Sequence, residues 1–132
     1  MKEIHVNDIS AAVADLCVKA CCRLPADVRE AFAERKETEP SPVGKSILGQ
    51  LLENARIADE ENMPICQDTG LAVIFAEIGQ DVHIVGGDFE AAVNEGVRRG
   101  YVDGYLRKSS VAEPLFERKN TGDNTPAVLH VR

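Results

Sequence analysis

The sequence contains no tryptophan, and only 5% of its 132 residues are aromatic. Because aromatic rings are scarce, a core has to be built from aliphatic side chains, which make up most of the 44% of residues that are hydrophobic. A chain of this length buries roughly 60–70% of the surface that its unfolded form exposes, which is enough for one core. The composition therefore predicts a folded chain that forms one domain or part of one.

Long hydrophobic runs and an excess of positive charge are also missing. The apolar stretch at residues 71–76 is far shorter than the roughly 20 residues that cross a bilayer, and the first residues lack the apolar core of a signal peptide. The 22 acidic residues outnumber the 15 Lys and Arg, for a net charge of -7, so there is no basic surface to neutralise phosphates. We expect a cytoplasmic protein whose partners include neither nucleic acid nor a membrane.

Four cysteines in a sequence without a secretory signal indicate thiols or metal ligands rather than a disulfide framework. Three of them, Cys17, Cys21 and Cys22, lie on one predicted helix. Their spacing lacks the repeated Cys-x-x-Cys of zinc and iron–sulfur motifs. We interpret these three as structural thiols, buried or partly buried.

Hydrophobic periodicity predicts helices throughout residues 1–62. The first has apolar side chains at three- and four-residue steps and Asn7 or Asp8 as its N-cap. Pro25 suits the first turn of a second helix. A third helix follows an N-cap at Ser41 and ends where the periodicity stops, near residue 62.

The pattern changes over residues 63–132. An apolar run at 71–78 predicts a strand, 82–85 predicts a second strand that pairs back on it, and 127–132 alternates like a third. A helix is predicted over 89–107. The fold class is α/β in the mixed α+β sense, with the N-terminal helices packed on a small mixed sheet as an incomplete fragment of a larger domain.

The helix predicted over 89–107 carries small residues at every fourth position, namely Ala92, Gly96, Gly100 and Gly104. Each glycine inside a helix costs roughly 1 kcal/mol relative to alanine. The stripe therefore predicts either that another segment packs closely against it or that the helix breaks near Gly104.

The loop between the helical half and the first apolar strand contains candidate functional residues. Cys66 supplies a soft thiolate, Gln67 both donates and accepts hydrogen bonds, and Asp68 is an acid or base if its pKa is shifted. Gly70 permits a positive φ or a close backbone approach. The structural alternative is a tight turn with an incidental cysteine and a capping aspartate.

Four segments follow one another along the chain: Cys66-Gln67-Asp68-Thr69-Gly70, Gly86-Gly87-Asp88, Leu106-Arg107-Lys108-Ser109 and Asn120-Thr121-Gly122-Asp123-Asn124-Thr125-Pro126-Ala127. Together they resemble the iron–sulfur hydro-lyases of the class I fumarase and L(+)-tartrate dehydratase type, in the N-terminal part of their alpha subunit. The resemblance covers essentially the whole chain, in order and at compatible spacing.

The resemblance implies roles for four residues. Cys66 matches one of three thiolates that hold a [4Fe-4S] cluster whose fourth iron is free to bind substrate. Gln67, Asp68 and Arg107 would line the substrate pocket, and Asp68 would transfer a proton or orient the group that does. Arginine suits a dicarboxylate because its planar fork forms two parallel hydrogen bonds. For Arg107 the alternative is a solvated arginine at a helix end.

The family needs three cluster cysteines, and the segments that carry the other two lie beyond residue 132. Cys17, Cys21 and Cys22 do not match those positions. We therefore expect residues 1–132 to be the N-terminal portion of an alpha-subunit catalytic domain, with no intact cluster and no activity alone.

The implied function of the full enzyme is reversible hydration of fumarate to malate, a step of the tricarboxylic acid cycle. The implied partners are a C4 dicarboxylate substrate and a beta subunit, in a homo- or hetero-oligomer. One alternative is L(+)-tartrate dehydration, which shares these motifs. The other is a docking module that uses the glycine stripe and the acidic surface without doing chemistry.

Overall fold

The computed structural model describes residues 1–67 and 70–132, so the catalytic candidate Asp68 lies outside the described residues. Within them the chain forms four helices and four short strands, which confirms the mixed α/β fold class. In chain order the elements are β1 (Lys2–His5), α1 (Val6–Cys22), α2 (Ala26–Thr38), α3 (Pro42–Glu61), β2 (Val73–Ala76), β3 (Val82–Val85), α4 (Phe89–Asp103) and β4 (Val128–Val131).

The second and third helices begin where the sequence predicts. Pro25 is the N-cap of α2. The Ser41 hydroxyl accepts a hydrogen bond from the Gly44 backbone N–H at 3.3 Å and so caps α3. That helix is followed by Asn62 in the left-handed conformation, with φ 51°. A membrane-spanning segment is missing from the described helices, since none combines enough length with enough apolar character.

The start of the chain differs from the prediction. The first helix begins at Val6 instead of following a cap at Asn7 or Asp8, and a strand that the sequence analysis did not predict, β1, precedes it. The Nδ1 atom of His5 accepts a hydrogen bond from the Asn7 N–H at 3.1 Å, which gives a partner to a backbone donor in the first turn of α1. In β1 only Ile4 is partly buried, so the strand carries almost no hydrophobic signal.

The chain divides into two compact units. The first comprises Met1–Val18 and the described residues of Asp68–Arg132, and the second is Lys19–Gln67. In the second unit α2 and α3 pack against each other. The buried apolar residues of this unit are Cys22, Ala55 and Ala58.

Strand pairing in the first unit shows that the predicted hairpin, between the strands now labelled β2 and β3, is wrong. β3 pairs in parallel with β1, so that Ile84 lies opposite Ile4. β2 pairs in parallel with β4, so that Ile74 lies opposite Leu129. The predicted turn does form, since the Val82 N–H donates to the Gly79 carbonyl at 3.0 Å. It leads the chain from one two-stranded sheet to the other, because the parallel partners come from distant parts of the sequence.

Close packing on the glycine stripe is confirmed. A methyl group at Gly96 would lie 2.6 Å from the Val13 Cβ, and one at Gly100 would lie 2.8 Å from the Cys17 Cβ. The backbone of α4 therefore lies directly against α1. The helix also ends at the stripe, because Gly104 is its C-cap, so it is shorter than predicted. This helix pair forms the core of the first unit. The helix α4 contributes Val93, Val97 and Tyr101 to it, and the segment after α4 contributes Leu106.

Candidate functional site

The backbone that leads into Cys66 is held by hydrogen bonds on both sides of Ile65. The Ile65 N–H donates to the Cys21 carbonyl at 2.9 Å, and the Ile65 carbonyl accepts from the Asn54 side-chain amide at 2.8 Å. The first partner lies at the end of α1 and the second on α3. The peptide immediately before Cys66 is thus anchored within the second unit.

Cys66 and Gln67 are both exposed at the end of that unit. Reactive and metal-binding cysteines are accessible from solvent, whereas buried structural cysteines are inert. The anchored, exposed position fits a metal-binding thiolate or a side chain that meets a ligand. Asp68, the third residue of this predicted cluster, lies outside the described part of the chain.

Arg107 lies in the first unit, in the segment that follows α4. The chain leaves the helix through Tyr105, whose φ is 54°, and then buries the Leu106 side chain, which is only 2% exposed. The Leu106 N–H donates to the Tyr101 carbonyl at 3.1 Å. Arg107 follows as an exposed residue, and the Lys108 carbonyl accepts from the Asn120 side chain at 2.9 Å. The backbone is therefore held on both sides of Arg107.

Asn124 is fully buried and binds two separate segments. Its Oδ1 accepts from the Ser109 N–H at 2.7 Å, from the Ser110 N–H at 3.0 Å and from the Ser110 hydroxyl at 3.1 Å. Its Nδ2 donates to the Gly70 carbonyl at 3.1 Å. Asn124 itself has φ 63°, a conformation that asparagine tolerates better than most residues. The segment that contains Asn124 is part of the family resemblance, but no role was predicted for this residue from the sequence.

Asp123, beside it, organises its own loop. Its carboxylate accepts from the Thr125 hydroxyl at 2.6 Å and from the Thr125 N–H at 3.0 Å. The Thr125 hydroxyl hydrogen bond is the largest cause that lowers the pKa of Asp123, and the positive charge of Arg98 adds to it. The loop ends at a cis peptide bond before Pro126, and Ala127 N–H donates to the Asn94 side chain at 2.8 Å.

The remaining cysteines are placed as structural thiols, as predicted. Cys17 and Cys22 are buried, and Cys21 is partly buried. Burial raises the pKa of the Cys22 thiol, and the charge of Arg23 opposes this only in part. Across residues 1–67 and 70–132, no three His, Cys, Asp or Glu side chains come together as a metal site. The described residues therefore offer Cys66 as a single exposed thiol and not a complete ligand set.

A cavity of about 260 Å³ lies elsewhere in the first unit, at the carboxyl ends of β2 and β4. The Phe75 and His130 rings stack beside it with their centroids 5.0 Å apart, and Glu77 forms an ion pair with Arg132. Of the candidate residues that the structure describes, none lines this cavity. It is also smaller than most ligand pockets. We do not assign the candidate site to it.

The candidate residues thus fall into two groups. The segment of Arg107, the Gly70 carbonyl and the loop of Asn124 are joined within the first unit. Cys66 and Gln67 belong to the second unit. The one sequence signal that could have selected Asn124 is a side chain with both donor and acceptor groups in a turn-rich loop, but its partners Ser109 and Gly70 are 15 and 54 positions away.

Comparison with known proteins adds independent information. The model of the fumarate hydratase (Fumerase) family matches residues 10–132. The chain is 33% identical over 129 residues to a protein of Methanocaldococcus jannaschii named "Putative L(+)-tartrate dehydratase subunit alpha", covering 91% of this chain and 43% of that protein. It is 31% identical over 124 residues to the L(+)-tartrate dehydratase subunit alpha of Escherichia coli K12, covering 94% of this chain and 40% of that protein. The chain spans about two fifths of the length of these curated relatives.

Proposed function

From the premise that the chain belongs to the fumarate hydratase (Fumerase) family, we propose that it is part of an iron–sulfur hydro-lyase that reversibly hydrates fumarate to malate. The single observation that carries this proposal is the family match over residues 10–132, which includes all four segments of the resemblance. We place the enzyme in the cytoplasm and its reaction in the tricarboxylic acid cycle.

Cys66 is the proposed thiolate ligand of a [4Fe-4S] cluster. Its exposure and its anchored backbone support this role, whereas Cys17 and Cys22 are buried in structural positions. When bound, a cluster with an open iron supplies a Lewis acid for the substrate hydroxyl and carboxylate. The other two thiolates would come from polypeptide outside residues 1–132, in keeping with the greater length of the relatives.

Arg107 is the proposed carboxylate-binding residue. It is exposed on a backbone that is held at Leu106 and at Lys108, so the point from which its side chain extends is defined. A planar fork of N–H donors matches a carboxylate in two parallel hydrogen bonds. Gln67, which is exposed beside Cys66, would add a hydrogen bond to the substrate. Asp68 is proposed to transfer the proton or to orient the group that does.

Dehydration of L(+)-tartrate is the second candidate function. The observation that favours it is the name of the matched relatives, each of which is an L(+)-tartrate dehydratase subunit alpha or is named as one. Because those relatives are alpha subunits, we propose a beta subunit as the partner of the complete enzyme, in a homo- or hetero-oligomer.

The docking-module alternative loses one of its two supports. The glycine stripe at Gly96 and Gly100 is already covered by Val13 and Cys17 of α1. A surface that the chain itself occupies is not available to another protein, and the acidic surface alone specifies no partner. We therefore favour the catalytic interpretation.

The proposal is tested on the complete enzyme, assembled anaerobically from the full alpha subunit and its beta subunit. We expect turnover with fumarate or with L-tartrate, and comparison of the two rates identifies the substrate. Cys66→Ser should abolish both the cluster absorbance and the activity. Cys21→Ser is the matched control and should retain both. Cluster binding that survives Cys66→Ser would remove this residue from the ligand set.

A further inference from the structure

Asn124 is a buried polar residue whose side chain binds backbone groups outside its own loop. It is 0% exposed, and its side chain contacts backbone outside the loop that carries it. Two of its Oδ1 contacts are to the consecutive N–H groups of Ser109 and Ser110, at 2.7 and 3.0 Å. The Nδ2 atom donates to the Gly70 carbonyl, 3.1 Å away. A single side chain therefore joins three stretches of the first unit.

A carboxamide satisfies this set of partners, whereas an ionised carboxylate has no donor for the Gly70 carbonyl. Oδ1 must accept from N–H groups while Nδ2 donates to a carbonyl, and asparagine provides both on a short side chain. An apolar replacement would leave buried N–H and carbonyl groups without partners, which is unfavourable in an environment without water. The arrangement is therefore specific for the residue type.

The segment that Asn124 holds is the one that carries Arg107. Ser109 is two residues beyond Arg107, and two residues span at most about 7 Å of backbone. On the other side Leu106 is buried and bonded to Tyr101. With both flanks fixed, the Arg107 backbone has little freedom, so the point from which its side chain extends is defined.

We propose that Asn124 is a positioning residue for substrate binding, because its side chain fixes the Ser109–Ser110 backbone that holds Arg107 in place. This inference rests on the proposed function and extends it to a residue that contacts no substrate. Asn124 acts through Arg107, so its effect should depend on the presence of the arginine side chain.

The test uses the complete enzyme and a double-mutant cycle. Asn124→Ala should raise KM for the dicarboxylate substrate so that kcat/KM falls about tenfold to a hundredfold, as misplacement of a binding group does. The cluster absorbance should stay unchanged. In an Arg107→Ala background, Asn124→Ala should change kcat/KM by less than about threefold, because the two residues act as one unit.

Asn94→Ala is the matched control. It removes a hydrogen bond to the same loop, from Ala127, without touching the Arg107 segment, and it should leave KM unchanged. If Asn124→Ala does not fold, Ser110→Ala removes only the hydroxyl contacts to Asn124, at 3.1 Å to its Oδ1 and at 3.4 Å to its carbonyl, and should raise KM by a smaller factor.

The outcomes separate the two proposals. A wild-type enzyme that turns over neither fumarate nor L-tartrate would overturn the proposed function and, with it, this inference. An active wild type in which Asn124→Ala or Ser110→Ala leaves KM unchanged would overturn the positioning role alone. Equal losses with and without the Arg107 side chain would show that Asn124 acts independently of the arginine.

Discussion

At the residue scale, the chemistry proposed for this chain depends on a few side chains whose backbone is held by hydrogen bonds while the side chain itself is exposed. Cys66 follows an Ile65 peptide that is bonded through both its N–H and its carbonyl. Arg107 follows a buried leucine and precedes a segment held by asparagine side chains. Such a frame is what a loop needs in order to present polar groups in one position.

We predict that Arg107→Lys weakens substrate binding more than it slows turnover. Lysine keeps the positive charge but loses the two parallel hydrogen bonds of the guanidinium. The loss of a charge-assisted hydrogen bond of about 1.5–3 kcal/mol corresponds to a rise of roughly ten- to a hundredfold in KM. Steady-state kinetics of the complete enzyme measure it. Arg99→Lys, on the exposed surface of α4, is the control and should leave KM unchanged.

We also predict that Asp123 stabilises the first unit in a pH-dependent way. Its pKa is lowered in the folded chain, chiefly by the Thr125 hydroxyl. A carboxyl group whose pKa is lower in the folded state stabilises it above the unfolded pKa, and this contribution is lost as the pH falls through the folded value. The difference in unfolding free energy between wild type and Asp123→Asn should therefore shrink as the pH falls from above the unfolded pKa of Asp123 through its lowered folded pKa.

Urea unfolding of the two proteins at a series of pH values measures that difference. Thr125→Val offers a second comparison, because it removes the hydroxyl that donates to the carboxylate at 2.6 Å. A difference between wild type and Asp123→Asn that is the same at all these pH values would contradict the assignment.

At the scale of elements, the contact between α1 and α4 depends on residues without side chains. The approach is close enough that the Val13 Cβ and the Ser10 carbonyl would lie 2.6 and 2.7 Å from a methyl group at Gly96. The Ser10 hydroxyl also donates to the Ala92 carbonyl at 2.9 Å, which joins the two helices by a buried hydrogen bond. The backbones meet where larger side chains would hold them apart.

We predict that Gly96→Ala destabilises the chain although alanine is the better helix former. Overpacking against α1, which typically costs about 1–3 kcal/mol, offsets the helix-propensity gain of about 1 kcal/mol, so the net loss should be up to about 2 kcal/mol. Gly49→Ala on α3 is the matched control, since its methyl group would lie 3.5 Å from the Lys36 side chain, an ordinary contact. That change should raise stability by up to about 1 kcal/mol. Urea unfolding followed by circular dichroism measures both.

If Gly96→Ala were as stable as the wild type, the two helices would not lie at this separation. Gly100→Ala is an independent test of the same helix contact, because its methyl group would lie 2.9 Å from the Ala14 carbonyl oxygen. Both substitutions should therefore change stability in the same direction.

At the scale of the whole molecule, the ligand set for a cluster is not assembled by the described residues. They contain no group of three metal-ligating side chains, and two of the four cysteines are buried. In the proposed enzyme, the two thiolate ligands besides Cys66 would therefore come from polypeptide outside residues 1–132. The relatives that the chain matches are more than twice as long, since the alignment covers 94% of this chain and 40% of the Escherichia coli protein.

We accordingly predict that residues 1–132 alone do not retain a stoichiometric [4Fe-4S] cluster and do not hydrate fumarate. The test is anaerobic reconstitution with iron and sulfide, followed by absorbance spectroscopy and iron analysis after gel filtration. The complete enzyme treated in the same way is the positive control. A stable spectrum with about four irons per chain would contradict this prediction.

The sequence alone was sufficient for features that depend on neighbours along the chain. The periodicity of α1 to α4, the Ser41 cap and the close approach at Gly96 were all predictable, because helices form from contacts three or four residues apart. Cys66 and Arg107 could be selected as candidates because their residue types and motif resemblance are visible in the sequence. Their roles in catalysis stay predictions.

Only the tertiary structure decided which strands pair and which side chain links the motifs. β3 pairs with β1, some eighty positions earlier, and not with the strand just before it. Asn124 reaches Ser109 and Gly70 across 15 and 54 positions. Such contacts leave no local pattern, because their free energy depends on groups that meet only after the chain has folded. Sequence spacing specifies the helices, whereas burial and hydrogen bonding between distant segments specify the strand partners and the role of Asn124.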